Sequence, residues 1–146
     1  MNDPLQKQTL LDCRISLDDF ERLSRLVTRV RKHAGFREDI PRAAVVRSLL
    51  RKGLELEATR ALLIESGRYE FAFRLQCLVS VDEWRRLTEL QRLYQAAAPL
   101  SAKLPLTSLQ RSLFRLAFAE AETMAGFPGF AQDVLISRLK RGPSSG

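Results

Sequence analysis

Displaced by 64 residues, this sequence aligns with itself. Asp12 to Glu57 lies over Gln76 to Ala121 without a gap, and twelve of those 46 positions are identical, where ordinary residue frequencies give roughly three. Among the identities are Cys13/Cys77, Ser16/Ser80, Asp18/Asp82, Arg22/Arg86, Pro41/Pro105, Arg47/Arg111, Ser48/Ser112 and Arg51/Arg115. Internal periodicity constrains architecture more than any single motif, because each copy must be one structural unit of the same kind. The whole chain has 146 residues, enough for one domain or for two very small modules that share a core.

Both copies change hydrophobic period at matching places. Cys13, Ile15 and Leu17 alternate with Asp12, Arg14 and Ser16, and the second copy alternates from Tyr69 through Phe71, Phe73, Leu75, Cys77 and Val79 to Val81, the signature of half-buried strands. Asp18 with Glu21, and Asp82 with Glu83, predict helix starts. Apolar stripes follow at helical spacing: Phe20, Leu23, Leu26, Val27 and Val30 in one copy, Trp84, Leu87, Leu90 and Tyr94 in the other. Gly35 or Pro99 ends each stripe, and Pro41 or Pro105 opens a second helix. Val45, Val46, Leu49, Leu50 and Leu54 form its buried face in copy one, and Leu109, Leu113, Phe114, Ala117 and Phe118 in copy two. Each copy thus reads strand, helix, helix, over 12–57 and 76–121. The linker 58–75 is expected to extend the helix through Leu62, Leu63 and Ile64 to Gly67 and to start the second strand. The tail 122–146 is expected to hold a turn at 126–129, a short helix carrying Phe130, Val134, Leu135 and Leu139, and a frayed end.

One such unit cannot stand alone, since a single strand leaves its backbone groups and its apolar row uncovered. If the two strands pair antiparallel and the helices cover one face, both problems are solved. The expected fold is mainly α with a two-stranded antiparallel β-ribbon, an intramolecular pseudo-dimer with a short C-terminal helix. With the pseudo-twofold axis between Arg14 and Leu78, Cys13 would face Val79 and Ile15 would face Cys77, making the cysteines offset core residues and not a disulfide.

Each copy resembles a ribbon-helix-helix module of the MetJ/Arc/CopG superfamily of bacterial DNA-binding regulators. The resemblance is carried by Arg14-Ile15-Ser16-Leu17-Asp18-Asp19-Phe20-Glu21-Arg22-Leu23 and by Arg42-Ala43-Ala44-Val45-Val46-Arg47-Ser48-Leu49-Leu50-Arg51-Lys52-Gly53-Leu54-Glu55. It spans most of Asp12 to Ala121, more loosely in copy two, and fusion of two modules in one chain is similar to the TraY-like conjugation accessory proteins. The resemblance implies that outward strand side chains read bases in the major groove, which selects Asp12, Arg14, Ser16, Gln76, Leu78 and Ser80. Arg14 can fork onto guanine, Gln76 can bond adenine, the serines can donate or accept, Asp12 can accept from cytosine and Leu78 can touch a thymine methyl. Because Arg14 and Leu78 differ in kind, a non-palindromic site is expected, or a second copy that keeps the fold and has lost most of its reading role.

Unpaired N–H groups at the starts of the second helices suit phosphate oxygens. That places Pro41, Arg42 and Ala43, with Lys103, Thr107 and Ser108, beside the DNA backbone. Composition agrees: 24 Lys and Arg against 17 Asp and Glu leave a net charge of +7, which favours a polyanionic partner. Two cysteines and one histidine, His33, are too few for a zinc site without carboxylate help, so no metal or cofactor is expected. No Gly-rich phosphate loop or nucleophile with an adjacent base is visible, so the chain is not expected to be an enzyme. Without a run of roughly 18 to 20 apolar residues or a signal-peptide pattern in Met1 to Leu11, it is expected to be cytoplasmic and without a membrane partner. The implied function is a sequence-specific double-stranded DNA-binding regulator, a repressor or plasmid-transfer accessory factor that acts by occupancy, with two or more chains per operator. The alternative is an antitoxin-like or scaffold protein whose tail, residues 122–141, binds a protein partner through Phe127, Phe130, Val134 and Leu135.

Overall fold

A computed structural model of the chain describes residues 9–35, 39–60, 62–64, 73–97 and 104–145, with side chains through Ser137. Strand β1 (Thr9–Ile15) is followed by helices α1 (Leu17–His33) and α2 (Arg42–Glu57). Strand β2 (Phe73–Val79) is followed by α3 (Val81–Ala97), α4 (Leu106–Ala121) and α5 (Phe127–Ser145). The protein is therefore mainly helical, with one two-stranded antiparallel sheet. Both strands have 7 residues, α1 and α3 have 17, and α2 and α4 have 16.

The strands pair about Asp12 and Gln76, not about Arg14 and Leu78. Asp12 stands opposite Gln76, Cys13 opposite Leu75 and Leu11 opposite Cys77. The expected register was displaced because the strands end earlier than their alternation suggests. Leu17 and Val81 continue the odd-numbered apolar row, yet each is the first residue of a helix and Leu17 is exposed. The helices are capped by Ser16 and Ser80, and not by Asp18 and Asp82. Ser16 is extended and its hydroxyl accepts from the Asp19 N–H at 3.2 Å. Ser80 forms a full capping box: its hydroxyl accepts from the Glu83 N–H, and its own N–H donates to the Glu83 carboxylate at 2.8 Å. Asp18 and Asp82 sit within the first turns, where their charge suits the helix dipole. The displacement moves pairing by an even number of residues, so the inner and outer faces keep their members.

Leu11, Cys13, Ile15, Leu75, Cys77 and Val79 form the buried underside of the ribbon. It rests on α2 and α4, whose Val45, Leu49, Leu50, Leu109, Leu113 and Ala117 are fully buried. The two helices meet closely at Gly53, where a Cβ would lie 2.6 Å from the Leu113 carbonyl oxygen. Gly35, at φ 81°, ends α1 in a conformation that L side chains disfavour. Pro99 lies outside the described residues. Phe20 and Trp84 are partly buried and pack against the core; Phe20 also stacks on Phe73 at 4.0 Å.

Arg51 of α2 reaches Glu83 of α3 at 2.7 Å, and Arg115 of α4 reaches Asp19 of α1 at 3.0 Å. Each acid belongs to the first turn of a helix that follows the other strand. Burial opposes the charge of Glu83, but the Ser80 N–H, Arg51 and Arg47 outweigh it and hold the carboxyl below its ordinary 4.5.

The segment after α2 does not extend the helix: α2 ends at Glu57 and residues 62–64 are not helical. Leu62 turns inward, and its N–H donates to the Tyr94 hydroxyl at 3.2 Å. Tyr69, Phe71 and Gly67 lie outside the described residues. The 126–129 stretch is not a free turn either. Phe127 begins α5, Pro128 fits its first turn where an N–H is not needed, and the helix, at 19 residues, is longer than the short one expected and runs through Ser145. Phe127, Phe130 and Val134 are buried in the shared core, with Leu135 packed against it. Arg29 lies over the Phe127 ring at 3.9 Å and Arg51 donates to Ser137 at 3.1 Å. The side chains proposed to seize a partner through the tail are thus occupied by this chain's own core. The side chain of Leu139 lies outside those described.

Two outcomes follow. Gly53→Ala should lower thermal stability although alanine favours helix by about 1 kcal/mol, because the new methyl meets backbone and overpacking costs about 1 to 3 kcal/mol; calorimetry decides the sign. Glu83→Gln should cost about 2 kcal/mol at neutral pH in denaturant titrations. Since the folded-state pKa of Glu83 is depressed, that difference is present above 4.5 and should shrink as the pH falls below it.

Candidate nucleic-acid interface

The alternation that buries one face of the ribbon leaves the other as a row of six exposed residues: Leu10, Asp12 and Arg14 on β1, and Arg74, Gln76 and Leu78 on β2. Leu10 stands opposite Leu78, Asp12 opposite Gln76 and Arg14 opposite Arg74. Four residues expected on this row are on it. Ser16 and Ser80 are not, because both cap helices beyond the strand ends. Two members escaped the sequence reading. Arg74 lies between the apolar Phe73 and Leu75, so its outward position was legible once β2 was followed to its start. Leu10 was not, because it adjoins Leu11 and an apolar pair hides the alternation.

Arg14 and Arg74 place two guanidinium groups side by side across the strands, an arrangement that is unfavourable by itself. Asp12 relieves it: its carboxylate lies 3.1 Å from Arg74 Nε. Both partners are exposed, with side-chain accessibilities of 57% for Arg74 and 40% for Asp12, so this pair contributes little to stability and its groups remain open to competition from a ligand.

The two second helices differ at their starts. Pro41 caps α2 without a side-chain hydrogen bond, and Pro41, Arg42 and Ala43 are exposed. Arg42 lies 5.3 Å from the Phe20 ring, so the Phe20–Phe73 stack ties this helix start to the ribbon end that carries Arg74. Pro105 caps α4, but its neighbours turn inward. The Thr107 hydroxyl donates to the Cys13 sulfur at 3.7 Å. Ser108 is buried, its carbonyl accepting from Ser112 and its hydroxyl from Arg111. Thr107 and Ser108, expected beside phosphates, therefore brace the interior, and Lys103 lies outside the described residues.

Three arginines of α1 serve the fold. Arg22 makes an ion pair with Glu122 and lies over the Phe118 ring, Arg31 donates to the Ile40 carbonyl, and Arg29 donates to the Glu122 carbonyl. His33 is exposed near the end of α1 and meets the Phe127 ring edge-on. No helix among the described residues is long and apolar enough to cross a membrane. Comparison with protein-family models, curated proteins and solved structures returns no match.

Beneath the ribbon both cysteines are free and buried. Burial pushes the Cys13 thiol up to about 11 despite the Thr107 hydroxyl and Arg111, and the Cys77 thiol to about 12 despite Arg47. Only the thiolate is nucleophilic. Native protein at pH 8 should therefore react negligibly with iodoacetamide, and both thiols should react once denaturant is added; mass spectrometry under the two conditions checks this.

Proposed function

We propose that this chain is a sequence-specific double-stranded DNA-binding regulator, acting as a repressor by occupancy, built as two ribbon-helix-helix units fused into one intramolecular pseudo-dimer. Support for the duplication comes from the constant offset of 64: Thr9 and Phe73, Leu17 and Val81, and Arg42 and Leu106 begin corresponding elements. The ion pairs Arg51–Glu83 and Arg115–Asp19 are images of one another under the same offset. So are the serine caps Ser16 and Ser80.

The observation that carries the functional reading is the outward row of the ribbon, made of side chains that can meet base edges and that the core does not need. A two-stranded ribbon is narrow enough for the major groove, where every base pair presents a distinct pattern of donors and acceptors. Arg14 and Arg74 suit guanine O6 and N7, Gln76 suits adenine N6 and N7, and Asp12 can accept from cytosine N4. Asp12 also repels phosphates, which penalises non-specific contact while Arg74 is held in place for a base. Arg42 at the start of α2 would contact the DNA backbone and contribute a salt-dependent part of the affinity.

Fluorescence anisotropy with a duplex selected from a random library tests this. Arg14→Ala and Gln76→Ala should each weaken binding to the selected site by about 5- to 150-fold with little change on random duplex. Asp12→Ala should tighten binding to random duplex and reduce the ratio of specific to non-specific affinity. Unchanged affinity and preference in the first two variants would remove strand readout from consideration.

A further inference from the structure

The two ends of the ribbon are chemically opposite. Arg14 and Arg74 face each other at one end, while Leu10 and Leu78 do so at the other, exposed by 54% and 41%. Under the 64-residue correspondence Arg14 maps onto Leu78, and Arg74 onto Leu10. Arg42 at the start of α2 follows the same rule: joined to the arginine end through Phe20 and Phe73, it maps onto the half-buried Leu106. On the first helices the comparison is mixed: exposed Arg25 and Lys32 of α1 correspond to exposed Glu89 and Ala96 of α3, whereas exposed Arg85 and Arg92 of α3 correspond to exposed Glu21 and Thr28 of α1, so the asymmetry belongs to the ribbon and to Arg42.

A homodimer cannot carry such a gradient, because a twofold axis copies every side chain to both ends. A fused chain can. Arginines at one end of the ribbon and leucines at the other would be wasted on a palindrome, whose two halves present the same base edges to both ends. The arginine end matches guanine, which offers two acceptors to one guanidinium. Leucine offers no polar atom, and against a guanine or cytosine edge it would strip water from groups that then lack a partner. In the major groove its one favourable counterpart is the thymine 5-methyl group.

We infer that the DNA site of this chain is directional: a non-palindromic duplex with guanine under the Arg14/Arg74 end and thymine under the Leu10/Leu78 end. This rests on the DNA-binding reading above and adds an orientation and a base class to it. Arg42 adds a backbone contact in the guanine half, and Leu10 and Leu78 meet the thymine half by apolar contact.

Selection of bound duplexes from a random library by the full chain, followed by sequencing, gives the motif. The expected motif has guanine in one half and thymine in the other. Deoxyuridine in place of thymine removes only the methyl group, and in the thymine half it should weaken binding by about fourfold per contacted methyl. It should have no effect in the guanine half. The double variant Leu10→Ala/Leu78→Ala, which alters exposed side chains alone, should bind thymine and deoxyuridine duplexes equally. Arg74→Ala should relax base preference in the guanine half and leave the thymine half intact. Specific binding to a palindromic motif, or a deoxyuridine effect that is absent or survives the double leucine variant, overturns the directional site and leaves DNA binding standing. A chain with no sequence preference for duplex DNA overturns both.

Discussion

Everything in this protein hangs on the pairing of two seven-residue strands drawn from distant parts of the chain. A two-stranded ribbon is marginal in water by itself, and here its apolar underside supplies Leu11, Cys13, Ile15, Leu75, Cys77 and Val79 to the core. Neither strand-helix-helix unit could cover that underside alone. Each needs the helices of the other, which is why α2 packs on β2 and α4 on β1 while α2 and α4 pack on each other. The close approach at Gly53 brings the two central helices near enough for the ribbon to span both.

Polar interactions then fix how the halves meet. Arg51 and Arg115 cross to acids at the starts of α3 and α1, and the same acids take part in the serine caps that end the strands. Glu83 serves as capping partner, as ion-pair acceptor for Arg51 and as neighbour of Arg47. Strand termination, helix initiation and assembly of the halves are thereby coupled at single residues. The α5 helix adds apolar cover and further contacts to α1 and α2 through Phe127 and Ser137.

The outer face of the ribbon is free of these demands. Its residues project from a frame determined by the inner face, so they can differ between the two halves at little cost to folding. Under the 64-residue offset the inner row has cysteine at both Cys13 and Cys77, while on the outer row Arg14 corresponds to Leu78 and Leu10 to Arg74. Physical constraint thus explains both the likeness of the two cores and the unlikeness of the two ends. A face released from structural duty can vary one side chain at a time without disturbing the core.

Much of the architecture was written in the sequence. Alternation at 13–17 and 69–81 marked two strands, stripes at helical spacing marked α1 to α4, and prolines 41 and 105 marked where the second helices begin, because these signals arise from local geometry. Register, caps and tail were decided elsewhere. Serine and aspartate are both good caps, and only the packed structure chose Ser16 and Ser80; that choice ended the strands early and moved the pairing axis to Asp12 and Gln76. The displaced pairing sets Leu10 opposite Leu78 and Arg74 opposite Arg14 on the outer row. Thr107 and Ser108 look available for phosphate in a linear reading, yet Thr107 turns toward Cys13, which lies across the fold, and Ser108 is buried with its hydroxyl accepting from Arg111 one turn along α4. Local periodicity follows from bonds along the chain, whereas register and orientation depend on which distant surface arrives opposite, and that is a property of tertiary packing.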